Sequence, residues 1–217
     1  MKLARQIEQR LEQALDGLAG RIFRGDLHPS ELSARLARAA EMAEFETPAG
    51  PGTANRYDVA INPRHLAGSP EALEKELASA LTVHAAERGW RLEGPVLITI
   101  RPDGEVSTGT ASCSGSVAPG DLPVWGRLRR GNQQPLDLRH NRLIIGRSAS
   151  SDVVVPEPEI SRHHALIYRQ DGETYVVDFD SANGTAVDGV PVGRSSRSMQ
   201  AGSILTLAGI DFRFNYA

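Results

Sequence analysis

Three short clusters late in the sequence hold the groups that could do chemistry. They are Gly146-Arg147-Ser148, then Ser161-Arg162-His163-His164-Ala165, then Asp178-Phe179-Asp180-Ser181-Ala182-Asn183-Gly184-Thr185. Each is unremarkable alone, since Asn-Gly is a common hairpin turn and Ser-Arg fits many loops. Taken together they offer two guanidinium groups, a hydroxyl and a side-chain amide on separate turns. A phosphate dianion needs that inventory: cationic forks for charge-assisted, bidentate contacts, with hydroxyl and N–H donors beside them. The expected ligand is therefore a phosphorylated side chain, with an asparagine left to hold a peptide main chain. Adjacent His163 and His164 on extended chain point to opposite faces, and no further ligand stands at zinc-like spacing.

Turns can converge only on a rigid scaffold, and the surrounding sequence predicts one. Short apolar runs separated by turn residues follow residue 124: Leu143–Ile145, Val153–Val155, Ala165–Tyr168, Thr174–Val177, Ala186–Val187, Ile204–Leu207 and Phe212–Phe214. With no helical period among them, they indicate an all-β sandwich.

The first half reads differently. Leu3, Ile7, Leu11, Leu15, Leu18 and Ile22 form the apolar stripe of an amphipathic helix, ended at Gly25-Asp26. A second helix starts at His28-Pro29-Ser30-Glu31 and carries Leu32, Leu36 and Ala39 on one face. Residues 47–54 read as a loop. Tyr57, Val59 and Ile61 alternate as in a strand, a third helix opens at Ser69-Pro70-Glu71 with Leu73, Leu77, Leu81 and Ala85, and Val96–Ile100 is a second strand. Residues 107–126, rich in Ser, Gly, Ala and Pro, read as a linker of low order. The expected fold is thus an α+β N-terminal domain over 1–106, a linker over 107–126, and the β-sandwich over 127–217.

Composition narrows the function classes. The chain has 217 residues and a formal charge of −3; residues 1–127 carry 14 basic and 17 acidic residues and the rest carry 10 of each. Neither half has the basic surplus expected of a nucleic-acid binder. No apolar run is long enough for a membrane span, and the N-terminus lacks the apolar core of a secretory signal. A single cysteine, Cys113, fits a cytoplasmic, reducing setting. There is no Walker-type loop, HExxH or G-x-S-x-G elbow, so no catalytic residue, metal site or cofactor is expected. Thr47, Thr53, Thr108 and Thr110 fall in predicted loops within reach of a kinase.

The order GR, SRxHA, SxNGT resembles the forkhead-associated (FHA) domain over Arg129 to Ala217. That resemblance implies a sandwich of about eleven strands that recognises phosphothreonine through loops at one end. It implies that Arg147 contacts the phosphate or adjacent peptide, that Ser161 binds the phosphate through hydroxyl and N–H, and that Arg162 adds a second cation. Asn183 would bridge the peptide backbone, while Gly146, His164, Gly184 and Thr185 shape the loops. Two positions depart from the family: Ala182 where Ser or Thr is usual, and Asp180 where glycine is favoured. The runs GDLHPSELSARLARAAE, NRYDVAINPRHL, HAAERGW and GPVLITIRPDG resemble the N-terminal domain of bacterial FhaA-type proteins. Those proteins act in Ser/Thr-kinase signalling, often near the cell-wall and division machinery. The implied partners are threonine-phosphorylated proteins, with a Ser/Thr kinase or its substrate as candidates; the alternative is a phosphorylation-independent scaffold with a weakened site.

Overall fold

The computed structural model describes residues 27–217, so the stripe from Leu3 to Ile22 and the stop at Gly25-Asp26 lie outside the described residues. By contact, the chain divides into two compact units. Of the described residues, one comprises 27–45, 52–85 and 92–121; the other comprises 46–51, 86–91 and 122–217.

In the first unit, helix α1 (Pro29–Met42) starts where the His28 ring accepts the Ser30 N–H at 3.3 Å. It buries Leu32, Leu36 and Ala40 completely, a four-residue spacing that defines one face. Strands β1 (Phe45–Thr47) and β2 (Gly50–Gly52) form a hairpin inside the stretch expected to be loop. The Thr47 hydroxyl donates to the Gly50 carbonyl at 2.6 Å, and Gly50 takes φ +110°, which accounts for the Gly-Pro-Gly composition. Strand β3 (Arg56–Ile61) buries Tyr57, Val59 and Ile61 as their alternation predicts. Helix α2 (Glu71–Arg88), which buries Leu73, Leu77, Leu81 and Ala85, then carries the chain over to β4 (Leu97–Pro102), parallel to β3. That is the length a parallel crossover requires. On the outer edge of β4, the Ile100 N–H donates to Glu74 Oε1 at 2.7 Å, and the strand ends in Pro102.

The low-order linker expected over 107–126 needs correcting. Residues Ala111–Ser116 form strand β5, antiparallel to β3 and completing the sheet order β4-β3-β5. Its residues are small because bulk would not fit: a Cβ on Gly115 would lie 2.9 Å from the Ala54 Cβ and 3.1 Å from the Tyr57 ring. The stretch after β5 is held as well. Buried Asn55 donates to the carbonyls of Pro95 (3.1 Å) and Ala118 (2.9 Å) and accepts the Ala118 N–H (2.9 Å). In β5, burial first and then the Asp58 charge push the Cys113 thiol up to about 12, so it stays protonated and unreactive at neutral pH. Thr53 is fully buried, its hydroxyl given to the Ala40 carbonyl, and is out of a kinase's reach.

The second unit contains the sandwich, with eleven strands as the resemblance implies. They are β6 (Gly126–Arg129), β7 (Leu136–Leu138), β8 (Arg142–Gly146), β9 (Val153–Val154), β10 (Ala165–Gln170), β11 (Glu173–Asp178), β12 (Thr185–Val187), β13 (Val190–Val192), β14 (Arg197–Met199), β15 (Ile204–Leu207) and β16 (Ile210–Tyr216). Five of them make one sheet, β14-β11-β10-β8-β9, and six the other, β13-β12-β15-β16-β6-β7. Leu128, Leu143, Ile145, Ile167, Val176, Leu205, Phe212 and Phe214 fill the space between them. The architecture is an α+β unit followed by a β-sandwich. Among the described residues no helix is long and apolar enough to cross a membrane, and no cluster of three or more His, Cys, Asp or Glu is placed to hold a metal.

Asn55 carries the first expected outcome. Asn55→Ala strands the Ala118 N–H and two part-buried carbonyls, and should lower the stability of the first unit by about 1–3 kcal/mol in denaturant unfolding.

A cationic cleft at the loops of the sandwich

Gly146 ends β8, and its missing side chain makes room for the next cluster. A Cβ there would lie 2.2 Å from the Arg162 carbonyl oxygen and 3.0 Å from the His163 Cα. With only hydrogen at that position, the 161–164 segment lies against 145–148. The Arg147 N–H donates to the Ser161 carbonyl (3.0 Å), the Ser148 N–H to the Arg162 carbonyl (3.1 Å), and the His164 N–H to the Ile145 carbonyl (2.9 Å). The first two clusters are thus one structure.

His164 ties in the third. Its imidazole is fully buried; Nδ1 accepts the Ser161 N–H at 3.1 Å and Nε2 lies 3.1 Å from the Gly184 carbonyl. Since a carbonyl only accepts and an amide N–H only donates, the proton sits on Nε2 and the ring is neutral. Burial, the largest influence, holds its pKa below the ordinary imidazole value against the opposing pull of the Gly184 carbonyl and the Asp178 charge. The Phe179 N–H donates to the His164 carbonyl at 2.9 Å, and the Ala182 N–H to the Ser161 hydroxyl at 3.0 Å.

Asp178 organises the remainder. Its carboxylate accepts from the Ser181 hydroxyl (2.6 Å), the Thr185 hydroxyl (2.6 Å) and the Ser181 N–H (2.9 Å). Burial alone would raise its pKa, but these hydrogen bonds outweigh that and hold it below the usual carboxylate range. The Ser181 hydroxyl in turn accepts the Gly184 N–H at 3.0 Å, and Gly184 takes φ +79°.

Arg147, Ser161 and Arg162 line one cleft of about 700 Å³, together with Ser148, Ser150, His163 and Phe179. Both arginines are exposed, and neither guanidinium has an ion pair or hydrogen bond among the described residues. Because the Ser161 hydroxyl accepts from Ala182, its own hydrogen is left to donate into the cleft. Its N–H, expected to bind phosphate, instead serves His164. Asn183 does not line the cleft; its Nδ2 donates to the Glu159 carbonyl at 2.8 Å and braces the loop approaching Ser161. Gly146, His164, Gly184 and Thr185 occupy the shaping positions described above.

The two departures also find explanations. Asp180 has φ +54°, the left-handed region where glycine is easiest, and its carboxylate is bridged by Arg194 at 2.9 and 3.1 Å. It does not line the cleft. Ala182 contributes its N–H where a side-chain hydroxyl is missing. Ser148 and His163 stand in the quoted clusters but were given no binding role from the sequence, and Ser150 was not noted. Their hydroxyls and ring form a chain, Ser148 Oγ to Ser150 Oγ at 2.9 Å and Ser150 Oγ to His163 Nε2 at 3.1 Å. For Ser150 the serine-rich turn after Gly-Arg was the available signal.

Family models match the chain twice: "FhaA, N-terminal domain" over residues 4–114, and "FHA domain" over residues 143–208. Among curated proteins, the chain is 27% identical over 125 residues to the FHA domain-containing protein FhaA of Mycobacterium tuberculosis, covering 54% of this chain and 23% of that one. It is 39% identical over 70 residues to an ABC transporter ATP-binding/permease protein of the same organism, covering 32% of this chain and 8% of that one. The chain therefore spans less than a quarter of either relative. Among solved structures, it resembles the FhaA FHA domain complexed with the intracellular domain of Rv3910, at 26% identity and TM-score 0.38, covering 43% of this chain and all of that one (100%). A structure from a study of phosphothreonine-dependent FHA domain interactions matches at 26% identity and TM-score 0.38, covering 42% and 94%.

The packing predicts that Gly146→Ala pushes the Arg162 carbonyl away and costs about 1–3 kcal/mol in thermal or denaturant unfolding. The neutral His164 sets a pH dependence. Its folded pKa is depressed, so the unfolded chain binds the extra proton first. Its contribution is complete above about pH 6.5 and is lost as pH falls through the lower folded value. Melting temperature should fall between about pH 7 and pH 5 in the native chain, and less steeply in His164→Asn.

Proposed function

The chain belongs to the FhaA N-terminal-domain family and carries an FHA domain behind it, and from that premise we propose that it is a non-enzymatic adaptor that binds threonine-phosphorylated proteins. The observation that carries this reading is the pair of guanidinium groups, Arg147 and Arg162, unpaired among the described residues and lining one cleft with Ser161. Ser148, Ser150 and His163 beside them are joined to one another by hydrogen bonds, which leaves these three groups as the principal donors the loops present to a ligand.

The mechanism is local. A kinase adds about −1.5 to −2 charges and three acceptor oxygens to a threonine. Arg147 and Arg162 supply charge-assisted donors for those oxygens, and the Ser161 hydroxyl donates from a position fixed by Ala182. The donors are in place beforehand, which limits the ordering cost of binding. Phe179, 42% exposed at the cleft, gives apolar surface for a threonine methyl, a contact serine cannot make. By analogy with one-methylene discrimination that preference is worth about 1–3 kcal/mol. Asn183, braced by Glu159, retains its side-chain carbonyl and one amide hydrogen for a peptide main chain.

Within this reading the phosphothreonine reader is the region 127–217. The partners are a Ser/Thr kinase or its substrates in bacterial signalling, and the setting is the cytoplasm near the cell-wall and division machinery. Asp180 lies outside the cleft lining and is paired with Arg194, which favours a working site over an eroded one.

Calorimetry of the full chain against phosphothreonine peptides tests the proposal. Binding should vanish when the peptide is dephosphorylated. Arg147→Ala and Ser161→Ala should each lose about 1.5–3 kcal/mol of affinity, roughly 10- to 100-fold, with circular dichroism unchanged. Equal affinity with and without the phosphate overturns it.

A further inference from the structure

Arg91 lies far from residues 122–217 in sequence yet belongs to the same compact unit, with its side chain only 9% exposed. Its guanidinium grips Asp152 with both prongs, Nη1 to Oδ2 at 2.8 Å and Nη2 to Oδ1 at 2.7 Å, and Nη1 also donates to the Arg142 carbonyl at 2.9 Å. Asp152 closes the loop that Arg147 opens. Its Oδ2 accepts the Ile144 N–H at 2.7 Å, and the next residue, Val153, enters β9 beside Ile145. Buried Ser151 donates its hydroxyl to the Arg162 carbonyl at 3.0 Å and its N–H to the Ser148 carbonyl at 3.0 Å. The closing end of the loop is therefore held on one side by Arg91 and on the other by the segment that bears Ser161 and Arg162.

A largely buried ion pair adds little net stability over an apolar replacement, because both charges lose their hydration. What it does supply is geometry, since the planar fork sets distance and plane together. We propose that Arg91 is a positioning residue for the cleft, fixing through Asp152 the loop 147–152 that presents Arg147, Ser148 and Ser150. It touches no ligand itself. This inference rests on reading the cleft as a phosphothreonine site.

The experiment uses the full chain as native protein, Arg91→Met and Arg91→Lys, with two readouts. Amide hydrogen exchange reports on the loop without any ligand, and calorimetry with a phosphothreonine peptide reports on binding. Arg91→Met should speed exchange across 147–152 while β10 and β11 stay protected, and weaken the peptide about 5- to 30-fold. Arg91→Lys keeps the charge without the fork and should recover only part of both effects; it carries the same test at smaller amplitude if the methionine variant does not fold. Unchanged exchange and affinity in a folded variant would overturn the role, as would faster exchange spread over the whole sandwich. Failure of the phosphothreonine reading appears separately, as native protein indifferent to dephosphorylation, while the exchange result still judges Arg91.

Discussion

One absent methyl group governs the site. The carbonyl of Arg162 occupies the space where a side chain on Gly146 would stand. That close approach lets two stretches of loop share hydrogen bonds at positions 145, 147 and 148. Ser161 and Arg162 are therefore delivered to Arg147 by backbone geometry, with no reliance on long side chains finding each other. The cleft's rigidity follows, because backbone ladders cost less entropy to maintain than flexible side-chain contacts.

Around that contact the polar groups fall into two populations. His164, Asp178, Ser181 and Thr185 are satisfied internally by hydrogen bonds, and the pKa values of His164 and Asp178 are both held below their ordinary values. Arg147 and Arg162 are exposed at the cleft and have no partner among the described residues. A buried polar framework left half satisfied would be expensive, whereas an exposed guanidinium costs little until an anion arrives. On the proposed reading, the site concentrates its binding energy in groups that meet the ligand only when it carries charge.

The sequence made the cleft more legible than its surroundings. Arg147 and Ser161 could be singled out because arginines and hydroxyls on turns between β-runs have few other uses, whereas the shaping residues came only from the family resemblance. Seven strands of the sandwich were readable as apolar runs between turn residues. β6, β7, β13 and β14 were not: β6 holds a single large apolar residue, Leu128, between two arginines, and the other three lie at sheet edges, where β13 even accommodates Pro191. β5 was mistaken for linker because its inward positions, Ala111, Cys113 and Gly115, alternate with serines and are all small. Period-two patterning shows only when inward residues are bulky, and Tyr57 leaves no room for bulk here. The Ser161 N–H was misassigned because sequence cannot show that a histidine three residues later turns back to accept it.

The capped margin of β4 bears on how the first unit meets other chains. Leu97 gives its N–H to Asn55, so the amides facing away from β3 are those at 98, 100 and 102. Glu74 occupies the second, and proline removes the third. An incoming extended peptide would find one hydrogen-bond donor where it needs a row. Strand addition is disfavoured on that side, and with it self-association into fibre-like ribbons, by a carboxylate from α2 and a proline in the edge strand.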